Sequence, residues 1–263
     1  MIKPQYLHKE QIQAKLKTRL FGRNLVVLRR AGSTNDVARD LAAHDAPEGT
    51  VVVADEQSAG RGRLGRKWMS PPGQCLLCSV LFRPRVPPAK ANWITMLTSL
   101  AMADAVARVA ALEIELKWPN DLIVSIPADS IRGNHWRKLA GVLTETAVKG
   151  GELGYVIVGI GVNVNVPCGS LNALAPDATS ILAEVGHSVS RTDLLATSLF
   201  EVERRYNWLQ AGTGPSQEWA SRLATLGRRV EATGSGGLLV GVAESVDQDG
   251  NLLLRTDNGL LHT

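Results

Sequence analysis

The sequence predicts an α+β protein, a mixed unit of helices and strands followed by a small all-β module. Three observations carry this. Short apolar runs of strand length alternate with helical patterns up to about residue 226. The longest uninterrupted pattern, "NWITMLTSLAMADAVARVAAL", is rich in Ala, Leu and Met without Gly or Pro, as a core helix requires. After Leu226 the texture changes: "GRRVEATGSGGLLVGVAESVDQDGNLLLRTDNGLLHT" sets short apolar runs between the turn signals Gly227, "GSGG", "QDG" and "DNG". Such a run reads as a small, partly open barrel. The expected domains are 1–226 and 227–263.

In chain order, "HKEQIQAKLKTRLFG" reads as a helix, with Ile12, Leu16 and Leu20 at four-residue steps and Gly22 as its stop. "NLVVLRR" reads as a strand. "STNDVARDLAAH" opens a helix with Ser33, Thr34 or Asn35 as N-cap. "GTVVVADEQ" and "QCLLCSVLF" are apolar enough for buried strands, with "SPPG" as a turn between them. After the long helix, "IELKW", "LIVSI", "KLAGVLTETAV" and "YVIVGIGVNVN" are strand candidates. "TDLLATSLFEVERRYNWLQ" is a helix beginning near Thr192 or Asp193, and "QEWASRLATL" is a shorter one.

Hydrophobic residues make up 44% of the 263 and charged residues 21%, enough to build a packed core. No unbroken run of about 18 apolar residues is present, and the polar N-terminus lacks the apolar stretch of a secretory signal. Three cysteines give no disulfide framework, so a reduced, cytoplasmic protein off the membrane is expected. Cys75 and Cys78 sit three apart on a strand, point to opposite faces, and read as buried small hydrophobes rather than metal ligands. The histidines show no metal spacing, so no protein metal site is expected. The net charge of +4 fits an anionic small substrate at least as well as a nucleic acid.

"AGRGRLGRKW", residues 59–68, contains the spacing G-x-G-x-x-G. A dinucleotide turn needs a strand before it and a helix directly after it. The strand is present, but Pro71 and Pro72 forbid the helix. What remains is a loop with three glycines and the cations Arg61, Arg63, Arg66 and Lys67, held between two apolar strands. Backbone N–H groups freed by glycine and forked guanidiniums suit phosphate or carboxylate. A solvated basic loop or a nucleic-acid arm would show the same letters.

"STND" (33–36), "DEQSAGRGRLGRKWMSPPG" (55–73), "LKWPNDLIV" (116–124), "RKLAGVLTE" (137–145) and "VIVGIGVNVN" (156–165) occur in this order. Together they resemble the bacterial biotin protein ligases, or biotin–[acetyl-CoA-carboxylase] ligases, over about residues 25–260. The resemblance implies a central mixed β-sheet flanked by helices, as in class II aminoacyl-tRNA synthetases, and a small barrel of Src-homology-3 type at the C-terminal end. It implies a two-step reaction: biotin and ATP, with Mg²⁺, give biotinyl-5′-adenylate, and a lysine of a biotin carboxyl carrier protein then takes the biotinyl group. Joining two anions demands cations that neutralise and align them.

The resemblance also implies residue roles. Ser33, Thr34, Asn35 and Gln57 would meet the ureido ring of biotin, which needs both donors and acceptors. Gly60, Arg61, Gly62 and Arg63 would form the biotin and adenylate loop, with Arg63 guiding carboxylate to phosphate. Arg66 and Lys67 would meet the phosphates, and Trp68 the adenine. Lys117, Asn120 and Asn163 would contact the nucleotide. Asp121 would orient or deprotonate the carrier lysine. Lys138 would hold the biotin carboxylate and then the adenylate, while Gly141, Gly159 and Gly161 would let the backbone approach biotin. Leu64, where many relatives are polar or basic, receives no role.

Three departures stand out. Only about 25 residues precede the first core strand, so no DNA-binding domain of the bifunctional relatives, and no DNA binding, is expected. "SIPADSIRGNHWR" (125–137) is longer than the usual turn and reads as a flap. The chain stops at "LLHT", where relatives run one more strand that in some carries a basic residue to the nucleotide. Monomer and homodimer both stay open. The rival readings are a lipoate–protein ligase, which shares the chemistry, and a nucleic-acid-binding module using the basic loop.

Overall fold

The computed structural model describes residues 6–126, 136–234 and 237–263. The chain opens with α1 (Lys9–Lys15), β1 (Leu25–Leu28), α2 (Thr34–Ala43) and β2 (Val51–Ala54). β3 (Cys75–Phe82), α3 (Asn92–Ala110), β4 (Glu115–Lys117), β5 (Asp121–Ser125), β6 (Trp136–Lys149) and β7 (Glu152–Asn163) follow. The unit ends with α4 (Cys168–Leu171), α5 (Ile181–Val185), α6 (Arg191–Gln210) and α7 (Ser216–Ser221). A seven-stranded sheet runs in the order β1-β2-β3-β7-β6-β5-β4. β1 and β2 are parallel, joined across α2, and every other pairing is antiparallel, so the sheet is mixed as expected.

β3 explains why its sequence reads as an unbroken apolar run. All eight of its residues are buried, because helices or loops cover both faces. Leu76, Cys78, Val80 and Phe82 join the large core with α3 and α6, whereas Leu81 packs with Ala38 and Ala42 of α2. Cys75 lies in a third cluster with Leu77 and Val166, so the two cysteines do face opposite ways. The stretch 88–110 is long and apolar enough to cross a membrane by composition, yet most of its apolar part is buried inside the protein.

Several helix ends differ from the periodicity. The first helix stops at Lys15 rather than running to Gly22. The Glu203 carboxylate accepts the N–H groups of Arg19, Leu20 and Phe21 at 2.7, 2.8 and 3.1 Å, so these amides are satisfied without a helix. α7 stops at Ser221 because the next residues join the sheet edge: Leu116 N–H donates to Arg222 O and Ala224 N–H to Leu116 O. α6 starts at Arg191 and is capped by Ser190, whose hydroxyl accepts from Asp193 N–H; the cap lies two residues before Thr192. Ser33 stands at the N-cap of α2 without a side-chain cap bond.

The C-terminal strands β8 (Arg229–Gly234), β9 (Gly237–Val246), β10 (Leu252–Thr256) and β11 (Leu261–His262) form a separate antiparallel sheet, with Ala243, Leu252 and Leu254 as its core. Its β9–β10 turn is gripped from the main unit. Trp93 Nε1 donates to Gln248 O, Asn92 Nδ2 to Asp249 O and Trp118 Nε1 to Gly250 O, at 2.8, 3.0 and 2.9 Å.

Candidate active site

Directly opposed residues of neighbouring strands share a face. In one row, Ser79, Gly159 and Leu143 lie side by side on β3, β7 and β6; in the next row lie Leu77, Gly161, Gly141 and, on β5, Asp121. Each row has a gap where a glycine lacks a side chain, and each gap is filled. A Cβ on Gly159 would sit 2.2 Å from Asn35 Oδ1. A Cβ on Gly161 would sit 2.6 Å from the Trp68 ring, and one on Gly141 3.3 Å from it. The three glycines expected to admit biotin thus first admit two protein side chains.

Asn35 enters from the start of α2. Its Nδ2 donates to Leu143 O at 3.4 Å, and Ser79 Oγ lies 2.6 Å from its Oδ1 and 2.7 Å from Thr34 Oγ1. Gln57 Oε1 accepts from both the N–H and the hydroxyl of Thr34, at 2.7 and 3.0 Å. Ser33, Thr34 and Asn35 are all buried, so donors and acceptors are concentrated under the sheet face.

Residues 59–68 form a hairpin rather than a helix entry. Gly62 N–H donates to Arg66 O and Trp68 N–H to Gly60 O, and Arg61 bridges Lys67. Gly60 is required by space, since its Cβ would meet Trp68 O at 2.5 Å. The tip holds Leu64 in the left-handed region at φ 55° and fully outside, 84% exposed. Arg63, Arg66 and Lys67 are exposed beside it. Arg61 differs. Its guanidinium donates to Asp36 at 2.7 Å and Glu145 at 2.9 Å, and Arg39 binds the same two carboxylates. The hydrogen bond from Arg61 is the largest of the effects that hold the Asp36 carboxyl below its usual range. The Arg61 side chain, expected in the biotin and adenylate loop, is engaged with protein carboxylates.

Trp68, expected against the adenine, lies with its ring over Gly141 and Gly161, 5.7 Å from Lys138 Nζ, on the sheet face. Its indole N–H is buried and has no acceptor among the described residues. Lys138 and Asp121, expected in separate steps, form one ion pair at 2.7 Å. The Asn120 Nδ2 group donates to Val142 O. Lys117 lies 4.8 Å from the Trp136 ring, with Arg228 5.2 Å from the same ring. Asn163, expected at the nucleotide, is 3% exposed and donates to Thr179 O.

Ser79, Asp36, Arg39, Glu145, Trp136 and Arg228 escaped the sequence reading. Asp36 and Glu145 lie within the motifs named above, but only the packing of α2 beside β6 brings them to one loop. Of the expected flap at 125–137, residues 127–135 lie outside the described residues. Among the described residues no three His, Cys, Asp or Glu side chains converge as a metal cluster.

Comparison with known proteins gives this geometry its context. Residues 27–163 match the biotin/lipoate A/B protein ligase family, and residues 225–263 match the biotin protein ligase C-terminal domain. The bifunctional ligase/repressor BirA of Bacillus subtilis is 33% identical over 261 residues, 98% of this chain and 77% of that protein. The biotin–[acetyl-CoA-carboxylase] ligase of Mycobacterium tuberculosis is 34% identical over 239 residues, 88% of this chain and 83% of the relative. Among solved structures, the Aquifex aeolicus biotin protein ligase in complex with biotin and ATP superposes with a TM-score of 0.71 at 26% identity, covering 91% and 95% of the two chains. The Leishmania major enzyme in complex with biotinyl-5-AMP gives 0.58 at 26% identity, covering 91% and 98%. With both of its sheets matched, the chain belongs to the biotin/lipoate A/B protein ligase family, as one of its biotin protein ligases.

Proposed function

We propose that the sheet face under Trp68 is where this ATP-dependent biotin–[acetyl-CoA-carboxylase] ligase works. Biotin's carboxylate displaces pyrophosphate from the α-phosphate of ATP, giving biotinyl-5′-adenylate. A neutral lysine amine of a biotin carboxyl carrier domain then forms the amide, and AMP leaves. The observation that carries the placement is the Gly141–Gly161 pair, covered by an indole whose buried N–H lacks an acceptor, beside the Lys138–Asp121 pair. A buried orphan donor is costly, about 1–3 kcal/mol, and a ligand oxygen would remove that cost.

The ion pair suggests how one site serves both steps. Lys138 exchanges Asp121 for the incoming carboxylate and later steadies the adenylate. The released Asp121 carboxylate is then free to take the proton that the carrier ammonium must lose. The exposed Arg63, Arg66 and Lys67 meet the phosphates, with Arg63 nearest the junction, and Lys117 holds the nucleotide from the Trp136 side. Ser33, Thr34, Asn35 and Gln57 offer the ureido ring its donors and acceptors, with Gly60 and Gly62 bringing backbone close. Mg²⁺ would come with the triphosphate and neutralise part of its charge. Asn120 is the protein group we assign to the phosphate or metal side.

We place the domain boundary near residue 227, ahead of β8, and the protein in the cytoplasm, where its free thiols stay reduced. Incubation with ATP, Mg²⁺, an apo carrier domain and either biotin or lipoate tests the assignment. Biotinylation with pyrophosphate release is expected, and labelling by lipoate alone would refute it. Engagement of Arg61 by carboxylates removes one cation from a nucleic-acid surface, and salt-steep RNA or DNA binding without ATP is not expected.

A further inference from the structure

Two arginines and two carboxylates close a ring at the base of the glycine-rich loop. Arg61 Nη1 and Nη2 bind Asp36 at 2.7 Å and Glu145 at 2.9 Å. Arg39 completes the circuit, bound to Asp36 and, at 3.1 Å, to Glu145. Signs alternate around the ring and its net charge is zero. The four members come from three structural contexts: Arg61 from the loop, Asp36 and Arg39 from α2, and Glu145 from β6.

The placement of the two carboxylates matters more than their number. Asp36 directly follows Asn35, whose side chain fills the Gly159 gap. Glu145 lies two residues along β6 from Leu143, whose carbonyl accepts from Asn35. The ring therefore ties the loop to the two elements that hold the polar cluster of the site. Across the hairpin, Arg61 bridges Lys67, and Gly60 O accepts from Trp68, so fixing Arg61 also fixes the indole over Gly141 and Gly161. The tip, Arg63 to Gly65, lies beyond the ring and remains exposed.

We propose that Asp36, Arg39 and Glu145 are positioning residues acting through Arg61: the ring latches the base of the loop and sets how long the adenylate is held before a carrier lysine arrives. The inference rests on the ligase reading given above. A single exposed ion pair contributes little, but a bidentate guanidinium shared between two part-buried carboxylates restrains direction as well as distance. The restraint is electrostatic, so salt weakens it.

The test uses the full chain and the nearly isosteric double variant Asp36→Asn with Glu145→Gln, which keeps shape and removes both negative charges. Wild type and variant are loaded with labelled biotin and ATP, and adenylate release is followed in a chase with unlabelled substrate. Release should rise about tenfold, the scale of one lost charge-assisted bond. Trypsin should cut the tip of the variant faster than that of the wild type. Raising NaCl should speed release from the wild type more steeply than from the variant, which keeps only the salt response of the cations that hold the adenylate itself, a pattern that general loss of stability does not produce. Equal release rates, or an equal salt response in both proteins, would overturn the latch. Glu145→Gln alone carries the same test, with a smaller rise, should the double variant not fold. A wild type that makes no adenylate would instead refute the ligase reading; the latch would then stand or fall on the trypsin comparison.

Discussion

Gly159→Ala is the substitution whose outcome follows most directly from the geometry. The backbone tolerates it, because Gly159 lies within β7 and is not among the residues at positive φ. Replacing glycine by alanine in a strand interior should by itself stabilise by roughly 0.5–1 kcal/mol. The added methyl, however, would lie 2.2 Å from Asn35 Oδ1 and 2.9 Å from its Cγ. Asn35 must turn away, breaking its contacts with Ser79 Oγ and Leu143 O in a position only 3% exposed. Two buried polar groups left unpaired cost about 2–6 kcal/mol together, so the net loss is about 1–5 kcal/mol. For a chain of this size each kcal/mol lowers the melting temperature by roughly 2–4 °C. Thermal unfolding measures that fall, and pyrophosphate release at varied biotin should show KM raised more than kcat is lowered. Gly154→Ala is the control, since its Cβ would meet only Ala147 O at an ordinary 3.5 Å. A Gly159→Ala protein with wild-type melting and wild-type biotin KM would refute the filled-gap account of this face.

Other outcomes follow from single features. Arg63→Ala should cut adenylate formation about 100-fold, the scale of one lost transition-state contact, with no change in melting because the side chain is exposed; unchanged pyrophosphate release would remove it from the site. Lys138→Ala should abolish most adenylation and leave Asp121 without its 2.7 Å partner, while a full rate would exclude Lys138 from the chemistry. Burial pushes the thiols of Cys75 and Cys78 up to about 12, so a disulfide reagent at neutral pH should titrate the exposed Cys168 alone in the native protein and all three cysteines after unfolding. The Asp36 carboxyl is held low chiefly by the hydrogen bond from Arg61, so its contribution is present in full above about 3.8, its ordinary value, and is lost as pH falls through the depressed value; amide exchange in residues 59–68, corrected for intrinsic rates, should accelerate only below that point.

The fold was legible wherever packing acts through periodicity. β3 reads as a strand because both of its faces are buried, and α3 reads as a helix because most of its surface is core. Helix ends were legible only where local chemistry sets them. α1 ends early because Glu203, far along the chain, takes three of its prospective amides, and α7 ends early because Leu116 captures the following residues. The motifs show which residues reach the site face, but not what they pair with there. The partnership of Lys138 with Asp121, the seat of Asn35 in the Gly159 gap and the ring around Arg61 all depend on strand register. A shift of one residue in β6 would carry Glu145 and Gly141 to the opposite face together.

That dependence gives the glycines of the chain two distinct meanings. The spacing G-x-G-x-x-G at 60–65 draws the eye, yet the segment forms a hairpin, and its middle glycine meets only ordinary contacts. The glycines that shape the site are Gly159 and Gly161, two apart on one strand and therefore on one face, with Gly141 directly across from Gly161. Each costs its strand roughly 0.5–1 kcal/mol of backbone entropy relative to alanine, a cost set against the side chains that the vacant positions seat. Their retention makes sense if the face must accept side chains from above: Asn35 in one row and Trp68 in the next. Those two residues come from the beginning of α2 and the end of the charged loop, the same two segments that the Asp36–Arg61 contact joins. The glycine rows and the ion-pair ring thus address one problem, how to hold the base of a basic hairpin flat against a sheet while leaving its Arg63-bearing tip exposed.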